Sequence, residues 1–447
     1  MRYLRMAKDR RGRIKFSEEI EVKREFGRDV VLVLDTGLAI DHAMRFVVEG
    51  CAVYYWLSGY ISAFPKFEET VMGDGFPFEK VEDWGEVIDK VGLVYITDNV
   101  FPQLAGYLRK LGKLVYGSTL ELVRWEADRV YGYEKMKERG ISVPPGKVCQ
   151  GKEELLQYVE EKEKEGKRVW IKIENRFRGQ IETFSVSSVS EAETMLSQAG
   201  LGSYLDEAKF LVQENVEGVE IGCDGWVTPE GVLEPVAYTI EKKGRGNVAV
   251  WQRGSDFIEY WYAKVMDVVQ ETDYRCNLSV EGIWNGSEFM VLEPTPRNPY
   301  PVSSLYPRFV KNWVDVVWAV AEGRVIDVDV DWAEPYMVEL TMCTAETGLM
   351  RVIDVLDELV RWDGEGVGFR RVVYKDGKWW YVPGDSVLAT VNVKGKNVDE
   401  CFEKAKEIVQ QIKCVFVDVD WKFEDEIKED LKKLEELGEK FRFEVRR

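Results

Sequence analysis

Residues 277–297 read NLSVEGIWNGSEFMVLEPTPR, and this stretch predicts a β-hairpin. Residues 277–284 and 288–292 form two arms rich in apolar and β-branched residues, and the dipeptide Asn285-Gly286 between them is a strong signal for a tight turn. Antiparallel pairing of the arms would place Glu281 and Glu293, which are twelve positions apart, on one face of the hairpin.

The two glutamates of this hairpin indicate a cation site. Two carboxylates held close together repel each other unless a cation lies between them, and Mg²⁺ takes such oxygen ligands while it also holds nucleotide phosphates. Thr295 and Arg297 follow in a proline-rich loop and add an oxygen ligand and a guanidinium. The spacing alone also fits two edge-strand glutamates that are solvated separately.

Two further segments carry polar residues suited to a nucleotide. Lys172 lies near the end of the apolar run 169–173, where a phosphate would explain a charged side chain. The polar turn that follows includes Arg178 and is able to close over phosphates, although an ordinary hairpin has the same appearance. Residues 212–216 end another predicted strand, where backbone groups and a side-chain carbonyl could read the edge of an adenine.

Composition narrows the chemistry that is available. The chain has 447 residues, 45% of them hydrophobic, which is enough for several cores and excludes a disordered chain. The net charge of −19 repels nucleic acid at neutral pH and counts against it as a partner. His42 is the single histidine, and the seven cysteines form no C-x-x-C pair, which excludes histidine triads and zinc clusters. Any catalysis must therefore use carboxylates, Lys, Arg and a hard metal ion.

The pattern of apolar residues predicts three successive units of the α/β and α+β classes. From residue 29 to 117, short β-branched runs alternate with helical patterns, as in a small parallel α/β layer. A compact α+β unit follows within 118–330, and the segment 331–447 is rich in strands before two final helices. No apolar run approaches the roughly 18–20 residues of a membrane span, so we expect a cytoplasmic protein with no membrane contact.

Taken together, in this order and with these gaps, the motifs resemble those of the ATP-grasp ligases. More closely, the chain resembles phosphoribosylamine–glycine ligase and its divergent relatives encoded by viruses. The resemblance is carried by segments 116–118 (YGS), 140–144 (GISVP), 170–172 (WIK) and 212–220 (VQENVEGVE), and by the pair Glu281 and Glu293. It implies an ATP-grasp fold with a Rossmann-like domain at 1–117, an ATP-grasp domain at 118–330 whose lid spans about 146–216, and a C-terminal domain at 331–447.

The resemblance also implies a role for each matching residue. Mg²⁺ would be held by Glu281, Glu293 and Thr295, and the ATP phosphates by Arg129, Lys172 and Arg178. Adenine would contact Gln213, Glu214 and Val216, while Glu220 would reach the ribose or the amine. Arg297 would face the reacting phosphoryl group, and Lys242 would close over the substrate.

The implied activity is an ATP- and Mg²⁺-dependent carboxylate–amine ligase that acts through an acyl phosphate. Its substrates would be a small carboxylate, such as the amino acid glycine, and an amine, as in purine biosynthesis, and the protein would be a monomer or a homodimer. Segment 297–302 reads RNPYPV where the family has RFGDPE, which favours a changed amine acceptor.

Three other functions stay open at this point. The protein could be a ligase that acts on a modified nucleotide or DNA base. It could also be a nucleotide-binding protein without turnover, which fits a glycine-rich loop reduced to Arg178-Gly179 and Thr295 in place of the family's Asn. A nucleic-acid-associated protein that uses its basic N-terminal segment is the third, and the net charge counts against it.

Overall fold

The computed structural model describes most of the chain: residues 2–8, 14–21, 29–58, 72–173, 183–199, 202–344, 350–383, 386–413 and 419–447. Arg178, which the sequence assigns to a phosphate-binding turn, lies outside these residues. None of the helices in the described ranges is both long enough and apolar enough to cross a bilayer.

The N-terminal unit is a five-stranded parallel sheet with helices on both faces, as the sequence predicts. Its strand order is β5-β4-β3-β6-β7, and a separate antiparallel pair, β1 and β2, precedes it. The elements are β1 (Arg2–Lys8), β2 (Ile14–Glu21), β3 (Val30–Asp35), α1 (Ile40–Val48), β4 (Ala52–Leu57), β5 (Glu79–Lys80), β6 (Leu93–Ile96), α2 (Pro102–Lys110) and β7 (Val115–Tyr116). Alternate residues of β3 pack on opposite faces: Val31 and Val33 join the core with α1, and Leu32 and Leu34 join the core with α2. Both faces of β3 are therefore apolar, as expected for a covered parallel strand.

Two short helices connect this unit to the next. The sequence predicts one helix over 120–139, but the structure breaks it at Asp128 into α3 (Leu120–Ala127) and α4 (Arg129–Glu138). Asp128 has an extended backbone, and its side chain accepts a 3.0 Å hydrogen bond from the Tyr131 amide, which caps α4. The break places Arg129 at the first turn of a new helix.

The segment from 146 to 214 forms a small layer of four antiparallel strands covered by two helices. Its strand order is β10-β9-β11-β8. The elements are β8 (Gly146–Gln150), α5 (Gly151–Lys164), β9 (Val169–Ile173), β10 (Thr183–Val186), α6 (Val189–Gln198) and β11 (Lys209–Glu214). Ile171 and Val212 pack against the two helices, whereas Leu211 packs against α4 on the opposite face. That opposite face also carries Lys172, the cross-strand partner of Leu211.

The rest of the chain is built on one large antiparallel sheet. Its order is β17-β16-β12-β14-β15-β18-β23-β20, with β13 attached to β12, and β19, β22 and β21 form a separate three-stranded sheet. The strands are β12 (Val219–Thr228), β13 (Gly231–Val232), β14 (Val236–Lys242), β15 (Gly246–Gln252), β16 (Cys276–Trp284), β17 (Phe289–Thr295), β18 (Tyr336–Cys343), β19 (Arg351–Ile353), β20 (Gly366–Gly368), β21 (Val372–Lys375), β22 (Lys378–Tyr381) and β23 (Val387–Gly395). The helices are α7 (Ala263–Thr272), preceded by a π-helical turn (Ile258–Tyr262), α8 (Tyr306–Phe309), α9 (Trp313–Glu322), α10 (Val398–Val409) and α11 (Lys422–Glu436). The sheet continues across residue 330, because β15 pairs with β18.

Candidate functional site

The hairpin β16–β17 brings Glu281 and Glu293 directly opposite each other, which confirms the predicted pairing. The register shifts by one residue between Glu281 and Gly282, so that Leu292 forms a bulge. Without the bulge, Leu292 would stand opposite Glu281, and Glu293 would face the core. Thr295 lies two residues further along the same face and is buried.

The bulge also positions Lys172. The Lys172 Nζ atom donates a 3.3 Å hydrogen bond to the backbone carbonyl of Leu292, and this contact joins the small layer to the hairpin. Burial, followed by the neighbouring charge of Arg129, lowers the pKa of Lys172 to about 8. A buried amine whose charge is poorly compensated is well placed to receive an anion such as a phosphate.

Arg129, Lys172 and Glu293 line one cavity between α4, the small layer and the hairpin, which we call the phosphate cavity. Trp125, Tyr133 and Leu211 form its apolar wall. The Arg129 guanidinium makes an ion pair with the Glu293 carboxylate across the cavity. Residues that lie far apart in the sequence thus meet at one place, with two cations and one carboxylate.

The surroundings of the Glu281 carboxyl group favour binding of a cation. Burial, followed by the neighbouring charges of Glu241, Glu220 and Asp224, raises the pKa of Glu281 to about 8. The carboxyl group is therefore mostly protonated at neutral pH unless a cation compensates its charge. A divalent cation at the hairpin would hold this group in its ionised form.

The donor set at the hairpin fits magnesium. Glu281, Glu293 and Thr295 present oxygen atoms on one face, and Mg²⁺ commonly binds one or two carboxylates together with substrate phosphates and water. Among the described residues, no group of three or more His, Cys, Asp or Glu side chains is arranged to hold a metal ion by itself. Phosphates would therefore have to complete the coordination of a cation bound here.

Arg297 is held in place by two acids. Its Nε and Nη2 atoms donate hydrogen bonds of 3.2 and 3.1 Å to Glu126, and Asp98 lies 3.6 Å from Nε. Burial lowers the pKa of Arg297, but Glu126 and Asp98 raise it more, so the guanidinium stays charged. Arg297 also lies close enough to Glu281 to lower the pKa of that carboxyl group.

The proposed adenine contacts differ in their surroundings. Gln213 is buried, and its Oε1 atom has no hydrogen-bond partner within the described part of the chain. The Glu214 side chain is engaged by Lys167 at 2.9 Å and by Lys162 at 3.0 Å, and the bond from Lys167 lowers its pKa. The Glu214 backbone amide donates a 2.7 Å hydrogen bond to the Pro145 carbonyl, and the half-buried Val216 follows in the connection to β12.

Glu220 and Lys242 lie further along the sheet. Glu220, on β12, lines a second cavity with Asp224, Glu241, Asn247 and Glu281, which we call the acidic cavity. The Lys242 Nζ atom is 2.5 Å from Asp430 of α11, so the structure pairs this lysine with the C-terminal helix and does not bring it to Arg297.

The sequence analysis missed the buried polar face of the large sheet. This face carries Asp224 on β12, Thr239 on β14, Asn247 on β15, Glu339 on β18 and Asn392 on β23, each less than 9% exposed. The pairs Asn247–Glu339 and Glu339–Asn392 lie directly opposite each other in neighbouring strands. Polar residues at alternate positions of otherwise apolar strands were the available signal, as in Glu339 and Thr341 of β18 and Thr390 and Asn392 of β23.

The three-dimensional structure is similar to solved structures of ATP-grasp proteins, which shows that the chain has the predicted ATP-grasp fold. Phosphoribosylamine–glycine ligase from Thermotoga maritima aligns with a TM-score of 0.65 and 18% identity over 87% of this chain and 98% of that chain. The biotin carboxylase domain of Hydrogenobacter thermophilus 2-oxoglutarate carboxylase was solved with MgADP, ADP and bicarbonate. It aligns with a TM-score of 0.63 and 14% identity over 87% of this chain and 91% of that chain. N5-carboxyaminoimidazole ribonucleotide synthetase from Thermus thermophilus aligns with a TM-score of 0.57 and 13% identity over 86% of this chain and 99% of that chain. No protein-family model and no curated protein sequence matches the chain.

Proposed function

We propose that the protein is an ATP- and Mg²⁺-dependent ligase that joins a carboxylate to an amine through an acyl phosphate. One observation carries the proposal: Arg129, Lys172 and Glu293 line a single cavity, and Glu281 stands opposite Glu293 at its edge. Two cations beside two facing carboxylates fit the phosphates of a nucleotide and the metal ion that accompanies them.

The residues of the chain would act mainly by positioning and charge neutralisation. Arg129 and Lys172 would hold the phosphates, with Arg178 as a further contributor, and Gln213 would use its unpaired Oε1 to accept a hydrogen bond from the adenine amino group. The backbone of Glu214 and Val216 would border the same base, and Glu220 would reach the ribose or the amine. Arg297, fixed by Glu126 and Asp98, would stabilise the charge that develops on the transferred phosphoryl group.

Magnesium would be held by Glu281, Glu293 and Thr295, and when bound it supplies positive charge that neutralises the phosphate oxygens. In the second half of the reaction, the amine nitrogen attacks the acyl carbon and the bond from that carbon to the phosphate oxygen breaks. Phosphate leaves with the electron pair, and the amine loses one proton. No histidine is needed, which suits a chain whose single histidine is buried in contact with Tyr95 and Ser303.

We extend the proposal to an amino acid, such as glycine, as the carboxylate, because a solved neighbour is named a phosphoribosylamine–glycine ligase. The changed segment 297–302 supports an amine other than that of purine biosynthesis. In the structure, the buried Asn298 of this segment accepts a hydrogen bond from Tyr116 and donates one to Tyr95. A cytoplasmic location and a small-molecule amine complete the proposal.

A nucleotide-binding protein without turnover is the second candidate. The ion pair between Arg129 and Glu293 favours it, because an arginine at this place competes with a metal ion for the carboxylate. In this candidate the phosphate cavity would bind ATP without transferring its phosphoryl group.

The test is ADP release from ATP and Mg²⁺ across a panel of amino acids, each with and without a set of amines. Release that requires one carboxylate and one amine would establish the ligase. Glu293→Ala should bind ATP, keep its circular dichroism spectrum and lose about a hundredfold or more of the Mg²⁺-dependent rate. Unchanged turnover in that variant would remove Glu293 from the site, and nucleotide binding without ADP release under any condition would favour the second candidate.

A further inference from the structure

We propose that the acidic cavity binds the amine substrate, and that this substrate carries a second, positively charged amino group. The inference rests on the proposed ligase activity and names the class of its acceptor: a diamine or polyamine rather than a neutral or phosphorylated amine. Its basis is a surplus of hydrogen-bond acceptors on the polar face of the large sheet.

Three carboxylates around the acidic cavity have no partner within the described part of the protein. The side chains of Glu220, Glu241 and Glu281 all line the cavity and make no hydrogen bond or ion pair there; Glu281 is half-buried, whereas Glu220 and Glu241 also reach solvent. Asp224 also lines it and accepts hydrogen bonds from Ser279 and Tyr306. Carboxylates that lie close together without partners favour a cationic ligand.

A buried amide oxygen provides independent support. Asn247 lines the same cavity and is 2% exposed, and its Oδ1 atom has no hydrogen-bond partner among the described residues. On the adjacent strand, the fully buried Glu339 leaves its Oε2 atom without a partner in the same part of the chain. A buried acceptor left unsatisfied is costly, and an ammonium group, with three donors and no acceptor, would satisfy it.

The nearby cations do not neutralise this surplus. Lys242 is paired with Asp430, and Arg297 is paired with Glu126 and Asp98. Lys243 and Arg370 lie near enough to Glu241 to lower its pKa, and Lys242, Lys172 and Lys243 act in the same way on Glu220. Burial and the neighbouring acids nevertheless leave the pKa of Glu241 raised.

A magnesium ion at the hairpin is too far away to compensate the acceptors Glu241 and Asn247. Neighbouring strands lie about 4.8 Å apart, so β15 with Asn247 is about 14 Å from β16 with Glu281 across three strand intervals. One ion bound at Glu281 and Glu293 therefore leaves Glu241 and Asn247 uncompensated. An extended amine, with its ammonium group near β14 and β15 and its reacting nitrogen toward Glu281, fits this separation.

The test compares probes that differ at one end. We would measure calorimetric binding of α,ω-diamines with three to six carbons, of amino alcohols and of amino acids with the same chain lengths, in the presence of Mg²⁺ and a non-hydrolysable ATP analogue. We expect at least one diamine to bind about tenfold or more tightly than its amino alcohol, the matching amino acid to bind most weakly, and the preference to decrease with added salt. Equal binding of diamines and amino alcohols, or no binding of any diamine, would overturn the inference.

Variants locate the effect. Glu241→Gln should weaken diamine binding about tenfold and leave ATP binding unchanged, and Asn247→Leu should act in the same direction. Glu271→Gln, an exposed acid on α7, is the matched control and should have no effect. Unchanged diamine binding in folded Glu241→Gln would overturn the assignment of the cavity.

The result is distinguishable from failure of the proposed function. ADP release that depends on an amino alcohol as well as on a diamine would retain the ligase and reject the cationic acceptor. Selective diamine binding without ADP release from ATP, Mg²⁺ and any carboxylate would retain the cavity and reject the ligase.

Discussion

Arg297 shows how one side chain is prepared for a role by its neighbours. Two of its three guanidinium nitrogen atoms donate to Glu126 on α3, and Asp98 approaches from the loop after β6, so the guanidinium has a fixed orientation. A lysine would keep the charge but lose this pair of hydrogen bonds, in which Nε and Nη2 both donate to Oε1 of Glu126.

We therefore expect Arg297→Lys to reduce kcat by about tenfold to a hundredfold while the KM for ATP changes little. Steady-state kinetics of ADP release would measure both parameters. A variant with near wild-type kcat would show that Arg297 acts only as a structural tie between α3 and the loop.

The raised pKa of Glu281 should make the stability of the metal-free protein depend on pH. The pKa of Glu281 is raised to about 8 from an ordinary value near 4.5, so the folded protein holds a proton that the unfolded chain has released. Stability should therefore decrease as the pH rises from about 4.5 to about 8. Urea unfolding at several pH values would show this decrease, and it should be smaller in Glu281→Gln.

The same group links metal binding to proton release. Because Mg²⁺ prefers the ionised carboxylate, its affinity in the presence of nucleotide should increase as the pH rises toward 8 and level off above that value. Titrations in two buffers of different ionisation enthalpy would detect the released proton. A pH-independent affinity between 6 and 8 would contradict Glu281 as a ligand.

At the scale of elements, the junction of α3 and α4 positions Arg129. Gly132, in the first turn of α4, lies so close to α3 that an added Cβ atom would clash with the carbonyl oxygen of Trp125. Gly106, in the middle of α2, has open space at the corresponding position. The two glycines thus form a matched pair, since both are helical and only Gly132 has a packing role.

We expect Gly132→Ala to lower the free energy of unfolding by about 1–3 kcal/mol, because overpacking outweighs the gain in helix propensity. It should also weaken ATP binding by displacing Arg129. Gly106→Ala should instead stabilise the protein by up to about 1 kcal/mol. If both variants were equally stable, the close approach of α3 and α4 would not be a constraint.

At the scale of the whole molecule, the phosphate cavity is built from parts that are distant in sequence. Arg129 comes from the connecting helices, Lys172 from the small layer and Glu293 from the large sheet. A ligand in this cavity would therefore bind all three parts at once.

We expect Mg²⁺ with ATP to raise the thermal unfolding temperature progressively with ligand concentration, because the ligand binds the folded state. ATP with EDTA should give a smaller shift, since phosphate charge would remain uncompensated near Glu281 and Glu293. Differential scanning fluorimetry would measure both conditions. Identical shifts with and without Mg²⁺ would contradict a metal ion at the hairpin.

Local sequence patterns were sufficient to predict much of this architecture. Turn chemistry at Asn285-Gly286 and alternating apolar residues predicted the hairpin, and the β-branched runs from residue 30 predicted the parallel layer, because both depend on near neighbours in the chain. The ordered set of motifs predicted the ATP-grasp fold, which the structure confirms. The individual ligand roles of the twelve site residues stay predictions.

The tertiary structure alone decided which side chains meet. The bulge at Leu292 turns Glu293 toward Glu281, and this bulge results from pairing of two strands rather than from residue spacing. The single predicted helix over 120–139 was wrong because Asp128 caps a new helix, a preference that helical periodicity does not register. The pairing of Lys242 with Asp430 and the row from Asp224 to Asn392 depend on contacts between strands and helices far apart in the chain. Burial of polar groups is a property of that packing, so composition and periodicity do not determine it.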